Sequence, residues 1–351
     1  MRDEKLPRCG TARPNCQGDT MIKFQDLQDR IDRGEVIILD GAVGTQLQAM
    51  GVPMHGVAWA AAALHTHPYT VRHLHEAYIK TGADIITTNT YASARHNLEP
   101  MGLGDLTVEL NIRAVKLAQE AREKAARDRP AYIAGSISNF GLVTGGEPGR
   151  QRHLLGRSAI AVEQAQANLR EQAEILAEAG VDFLLAESTG SLEHRKWVSQ
   201  ACSAPGLPKW VGFKCHVDKG DPTVKIGYSS PVSLTQALDE VLPLGGSVIN
   251  IFHTNVDDTA AALPIVLEKW SGPLGIYPEA ARTDYVATYR DPTVENNISP
   301  EGFLDLARKW VQQGVQIIGG CCGIGVEYIR PLRQQLPTRI PSPRRLATRA
   351  A

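Results

Sequence analysis

The chain has 351 residues, 21% of them charged, with a formal net charge of −1, so it can bury one large α/β barrel or two smaller domains. Balanced charge leaves no footprint for nucleic acid or an anionic membrane surface, and no apolar run is long enough to span a bilayer. Six cysteines in this length, two of them adjacent, do not form a disulfide framework.

The polar N-terminal stretch Met1–Thr20 lacks a secretory apolar core. It is expected to be a disordered leader on a cytoplasmic protein. Short apolar runs then alternate with helix-like stretches. The expected strands are Val36–Leu39, Asp84–Thr88, Ala131–Ala134, Asp182–Leu185, Lys209–Phe213, Ser247–Ile251, Leu274–Tyr277 and Gln316–Ile318. Helices are expected over about Trp59–Thr81, Leu106–Arg127, Ser158–Ala179, Ser233–Leu242, Asp257–Trp270, Pro300–Gln313 and Val326–Gln335, with a Gly-rich loop over Gly141–Arg150. Eight buried-type strands alternating with helices point to a parallel sheet, and eight closes a (β/α)₈ TIM barrel. A doubly wound open sheet is the alternative, but Gly41-Ala42-Val43-Gly44 lacks the glycine spacing of its dinucleotide fingerprint. The expected organisation is one barrel domain over 21–338 and a basic, mobile tail over 339–351.

Barrel enzymes place their site at the C-terminal strand ends. Here those ends carry Asp40, Asn89, Ser138, Glu187, Cys215, Asn250, His253, Cys321 and Cys322. Asp40 and Glu187 together could grip an α-amino group, or each could serve as a helix cap. Adjacent residues of a strand face opposite ways, so Cys321 and Cys322 can share one site only where the strand has ended. Flanking glycines allow that. Two thiolates on one metal, most simply zinc, is one reading, and two buried small residues is the other. Zinc would need a third ligand, for which His253 on the sixth strand and Cys215 or His216 on the fifth are candidates.

Five stretches resemble the zinc-dependent homocysteine S-methyltransferases, which include betaine- and S-methylmethionine-dependent enzymes. They are Leu39–Thr45, Gly82–Tyr91, Ala134–Ser136, Ala179–Glu187 and Ile317–Gly323, spread in order across about residues 35 to 335. The resemblance implies a (β/α)₈ barrel and a Zn2+ ion that binds the substrate sulfur as thiolate. It implies methyl transfer from a small onium donor to homocysteine or a related thiol, as in methionine biosynthesis. By the same mapping Cys321 and Cys322 are zinc ligands and catalytic, with Glu187. Asp40 and Glu187 hold the amino group, Gly41 backbone the carboxylate, and Thr45, Asn89 and Asn250 complete the substrate site.

Three departures stand out. The family's Gly-Val-Asn-Cys reads Val248-Ile249-Asn250-Ile251 here, so His253, two residues on and on the same strand face, is the expected third ligand. Imidazole in place of thiolate makes the site less negative by one charge. The family's Gly-Pro-Tyr-Gly after its Gly-Ser is Ile137-Ser138-Asn139-Phe140-Gly141, and its Tyr-Pro-Asn-Ser-Gly is Tyr277-Pro278-Glu279-Ala280-Ala281, followed by Arg282. Those two loops line the donor's entrance, which leaves the donor open. A zinc lyase or hydrolase on an amino-acid-like substrate, and a non-catalytic binding barrel, are the rival readings. The expected partners are small molecules, with no nucleic acid and no membrane, and homo-oligomerisation stays open.

Overall fold

The computed structural model describes residues 16–145, 159–281 and 297–342. Eight parallel strands form its barrel: β1 (Ile37–Ile38), β2 (Ile85–Thr87), β3 (Tyr132–Ser138), β4 (Phe183–Ser188), β5 (Lys209–Phe213), and then, after the hairpin β6 (Cys215–Val217) and β7 (Val224–Ile226), β8 (Val248–Phe252), β9 (Leu274–Tyr277) and β10 (Ile317–Ile318). The sheet order is β1-β10-β9-β8-β5-β4-β3-β2. A parallel bridge between Leu39 and Ile85 joins its two ends. The strands read as apolar runs because both faces are buried, one inside the barrel and one under the helices.

The helices are α1 (Cys16–Asp32), α2 (Gly44–Ala49), α3 (Ala63–Thr66), α4 (Pro68–Thr81), α5 (Arg95–Leu98), α6 (Thr107–Ala125), α7 (Val162–Ala179), α8 (Leu192–Ser203), α9 (Leu234–Val241), α10 (Val256–Lys269), α11 (Pro300–Gln312) and α12 (Val326–Gln335). Inside the barrel, Tyr132, Phe183, Trp210, Val248 and Phe252 pack together with Phe24, Leu27 and Ile31 of α1. Helix α1 therefore plugs the floor, with the Phe24 and Phe183 rings 5.8 Å apart. Below, buried Asp84 accepts from the Ile38 amide at 2.8 Å and pairs with Arg30 at 3.2 Å, Arg129 at 3.4 Å and Arg333. One carboxylate thus links β1, β2, α1 and α12. Floor closure leaves the C-terminal rim as the open end.

The structure amends the sequence reading in several places. Strands β3 and β4 run on to Ser138 and Ser188, because Ser136, Ser138 and Glu187 continue the ladder between them. The helix expected over Trp59–Thr81 is broken at His67, at φ −136° and ψ 48°, since Pro68 keeps the residue before it out of the helical region. Helix α8, capped by the Ser191 hydroxyl, and the β6–β7 hairpin were not anticipated. Helix α1 begins within the stretch expected to be a leader. Arg339 and Ile340, expected in the mobile tail, are held in place: Ile340 is buried and its amide donates to Gly34 O at 2.9 Å, beside a bridge between Glu35 and Arg339. Residues 1–15 and 343–351 lie outside the described residues, as do Arg282 and part of the Gly-rich loop.

Phe24→Ala leaves a cavity between α1 and the barrel floor. It should lower stability to denaturant by about 3 kcal/mol. A loss below about 1 kcal/mol would mean that α1 is only loosely seated.

Candidate metal and substrate site

The C-terminal ends of the strands surround a cavity of about 710 Å3, counted to its open mouth. Asp40, Gly41, Thr45, Asn89 and Glu187 are in its wall, and so are His253, Cys321 and Cys322. Strand β10 ends at Ile318, and the chain turns through Gly323 at φ 79°, a conformation that favours glycine. The turn brings both sulfurs to one side. Cys321 Sγ is 3.2 Å and Cys322 Sγ 3.7 Å from His253 Nδ1. One donor atom from each of the three residues lies within 4.8 Å of the others, a grouping able to hold a metal ion.

His253 does not reach this point by strand alternation. Strand β8 stops at Phe252, and His253 takes φ 47°. Ile251 instead joins the core beneath the helices. The same-face expectation is thus corrected: a backbone reversal, not a continuing strand, carries the imidazole to the cysteines. The Tyr228 hydroxyl, just past the β6–β7 hairpin, bonds the other ring nitrogen, Nε2. Cys215 and His216 stand elsewhere. The Cys215 thiol is buried with its Sγ 3.8 Å from Phe213 O, and His216 Nδ1 is 2.8 Å from Gly227 O.

Electrostatics at this end favour a cation. Burial alone would depress the imidazole's pKa, but its interactions with Glu279 and Cys321 outweigh it and push His253 up to about 10. Glu279 Oε1 is 2.8 Å from Nδ1. A hydrogen bond with Cys322, together with burial, holds the Cys321 thiol well above its usual range. The turns carrying these groups are bonded to one another. His253 N donates to Tyr277 O at 3.2 Å, Glu279 N to Thr254 O at 3.0 Å, Cys321 N to Pro278 O at 2.7 Å and Ala280 N to Cys322 O at 2.9 Å.

Asp40 and Glu187 meet across the same cavity. Asp40 accepts from the Thr87 amide at 2.7 Å and the Thr87 hydroxyl at 3.0 Å, and Glu187 from the Ser136 hydroxyl. Burial pushes Asp40 up to about 8, with nearby Glu187 adding to it, and pushes Glu187 up to about 7. Neither caps a helix. Gly41 lies in the wall at a point where a Cβ would meet Ile324 O at 2.2 Å. The Thr45 hydroxyl accepts from Gly323 N at 3.1 Å, so Thr45 steadies the cysteine turn. Asn89 spends its amide on Ala60 O at 2.9 Å. Asn250 sits deeper in the barrel, below the residues walling the cavity. A Cβ on Gly275 would come within 2.0 Å of its Oδ1.

Sequence reasoning missed the aromatic wall. Outside the inner cavity lies a second one walled by Trp59, Tyr91, Phe140 and Tyr228, and it shares Trp59, Tyr91 and His253 with the first. Phe140 lies 6.3 Å from Trp59 and 5.6 Å from Tyr91, ring centre to ring centre. These residues come from four separate loops, so no local motif announces them.

Residues 37–336 match the family described as homocysteine S-methyltransferase. The chain is 27% identical over 326 residues to a selenocysteine methyltransferase of Astragalus bisulcatus, covering 85% of this chain and 91% of that enzyme. It is 27% identical over 314 residues to the homocysteine S-methyltransferase of Escherichia coli, covering 86% and 96%. Among solved structures, the metallated form of the homocysteine methyltransferase MmuM from Escherichia coli superposes with a TM-score of 0.67 at 23% identity, covering 89% of this chain and 99% of that one. That likeness shows the same barrel.

The raised carboxyls have a consequence for stability. Between their ordinary values of 3.8 and 4.5 and their folded values near 8 and 7, the folded protein keeps protons that the unfolded chain has lost. Stability of the ligand-free protein should therefore fall as pH rises through that window. The double variant Asp40→Asn/Glu187→Gln should lose less Tm than the parent between about pH 5 and pH 8. The His253 contribution falls with rising pH in both proteins. Equal slopes would mean that the two carboxyls are not the source.

Proposed function

The chain belongs to the homocysteine S-methyltransferase family, and we propose that it moves a methyl group from a small onium donor to the thiol of homocysteine or a related amino acid, at a zinc ion held by His253, Cys321 and Cys322. It is a methyltransferase. The observation that carries the specific reading is the convergence of one imidazole nitrogen and two sulfurs beside two buried carboxyls. Two thiols and an imidazole are a donor set suited to zinc, and three protein ligands leave a position for substrate. Zinc bound there would hold the substrate sulfur as thiolate at neutral pH.

The chain's own residues do the rest. Asp40 and Glu187 take the α-ammonium group, whose charge repays their ionisation in a buried place. Tyr228, bonded to Nε2, fixes the imidazole so that Nδ1 presents its lone pair to the metal. Thr45 and the main-chain bonds among the turns keep the sulfurs in register. Trp59, Tyr91 and Phe140 offer ring faces to a sulfonium or quaternary ammonium, which aromatic walls attract without a counter-charge. Trp59, Tyr91 and His253 border both cavities, so the methyl crosses between them. In that step a sulfur–carbon bond forms as the donor's carbon–onium bond breaks in line, and the donor leaves as a neutral thioether or amine with the bonding pair.

We place the enzyme in the cytoplasm, where thiols stay reduced. Among the described residues no helix is long and apolar enough to cross a membrane.

The purified protein should carry about one zinc per chain. Cys321→Ala or Cys322→Ala should remove the metal and cut methyl transfer to homocysteine by about a thousandfold or more, measured by metal analysis and a methionine-forming assay. An active metal-free protein would sink the mechanism, and product formed without a thiol acceptor would point to a lyase or hydrolase. For the outer cavity, Phe140→Ala should raise the KM of the onium donor about three- to tenfold. The KM for homocysteine should stay within about twofold, because Phe140 is not part of the inner wall.

A further inference from the structure

The barrel floor carries a cavity of its own, which shares no wall residue with the one at the rim. It measures about 680 Å3, counted to its open mouth, and lies between the end of α1, the entry to β1, the end of α12 and the stretch that follows α12. Arg30, Glu35, Arg333 and Arg339 stand in its wall beside Val36 and Leu336. Main-chain bonds fix that wall. Val36 N donates to Thr338 O and Ile340 N to Gly34 O, each at 2.9 Å, and Glu35 and Arg339 form an antiparallel bridge.

The charges here do not balance. Arg30, Arg33, Arg129 and Arg333 share two carboxylates, Asp84 and Glu35. Among the described residues the Arg339 side chain, exposed at the mouth, has no ion pair. One cation would offset the buried Asp84, yet three guanidiniums converge on it. N–H donors are in surplus too. Arg30 Nη1 is buried with no acceptor among the described residues. Arg333 gives Nε to Gly82 O at 2.8 Å and Nη2 to Asp84, which leaves Nη1 over. Crowding is felt at Arg129. Burial lowers its guanidinium below the usual range, and Arg333 and Arg30 add to the drop while Asp84 opposes it. A buried donor without an acceptor, among like charges, is costly unless an anion sits with it.

The donors select the anion. Guanidinium forks match the paired oxygens of carboxylates and phosphates. A carboxylate brings a single charge, too little for arginines arriving from three separate stretches. A phosphate group brings about −1.5 to −2 charge and three strong acceptor oxygens. The cavity is also much larger than a phosphate, with room for the organic part of a monoester. We propose that it is an anion site, in which Arg30, Arg333 and Arg339 take a phosphate group, free or carried by a small metabolite. Its occupant would tie α1 to α12 beneath the barrel, independently of the chemistry at the rim.

Calorimetry and thermal unfolding test this, with inorganic phosphate and glycerol phosphate as probes and ionic strength held constant with chloride. Saturable binding of about one anion per chain is expected, raising Tm by about 2–5 °C at a hundred times Kd. Arg339→Gln leaves the Asp84 cluster untouched, so without phosphate it should unfold at the parent's Tm. It should bind the anion about tenfold or more weakly. Tighter binding of the monoester would make the ligand a phosphorylated metabolite, and equal or weaker binding would make it free phosphate; both support the site. No saturable binding, or binding unchanged in Arg339→Gln, overturns the proposal. So does binding that homocysteine abolishes, because that anion would lie at the rim. In a crystal grown with phosphate, oxygens at about 2.7–2.9 Å from Arg30 and Arg333 are expected, and an empty cavity there overturns the site as well.

Discussion

The rim of this barrel depends on four main-chain hydrogen bonds that tie the turns after β8, β9 and β10 to one another. Strand β10 has only two residues in the ladder, so the sheet alone could not hold Cys321 and Cys322 against His253. The bonds between turns make up for the short strand. They satisfy buried amides and carbonyls that would otherwise cost energy, and in doing so they set three loops at one spacing. Donor atoms on separate loops thereby gain the fixed separation usually reserved for residues on one rigid element. The floor serves the same end from below, because α1 and the Asp84 cluster close it and leave the chemistry one open face.

On the proposed function, recognition at this face would deal with positive charge in three different ways. The amino-acid end meets two carboxyls whose pKa values are raised by burial, so that they ionise most readily when an ammonium arrives. The metal end collects soft sulfur and nitrogen donors beside a buried carboxylate. The donor end would use chiefly the ring faces of Trp59, Tyr91 and Phe140. The three chemistries do not interchange: a sulfonium offers no N–H to a carboxylate, and a metal gains little from a ring face. Separate chemistry would keep three cations in adjacent places without exchanging them.

The fold could be read from the sequence because a strand buried on both faces leaves an unbroken apolar run, and eight such runs leave one closed form. Asp40, Glu187, Cys321 and Cys322 could be read too, since polar residues at the ends of apolar strands have few reasons to be there. What could not be read depends on backbone direction. Ile251 and His253 were taken to share a face, and they do not, because the strand ends between them. Tyr228 follows a hairpin that the sequence pattern did not reveal, and Trp59, Tyr91 and Phe140 meet only through loop packing. Glu279 stood out in the sequence only as a departure in the loop after β9, and its 2.8 Å approach to His253 Nδ1 needs the structure.

Backbone strain marks the same border. Among the described residues, two that are not glycine have positive φ, Trp59 at 42° and His253 at 47°. Each such conformation costs on the order of 1–3 kcal/mol and persists only where the surroundings over-determine it. The surroundings here do so. His253 is fixed by its amide bond to Tyr277 O and by Tyr228 at its ring. The Trp59 indole lies so close over Gly44 that a Cβ there would come within 2.7 Å of it. Both residues border the inner and the outer cavity. An unstrained chain at these two points would send the imidazole and the indole elsewhere, and neither the metal nor the onium group would have a wall at the crossing. The strain at His253 is thus held by the bonds between turns that bring the cysteines to the histidine, and the strain at Trp59 by its packing over Gly44.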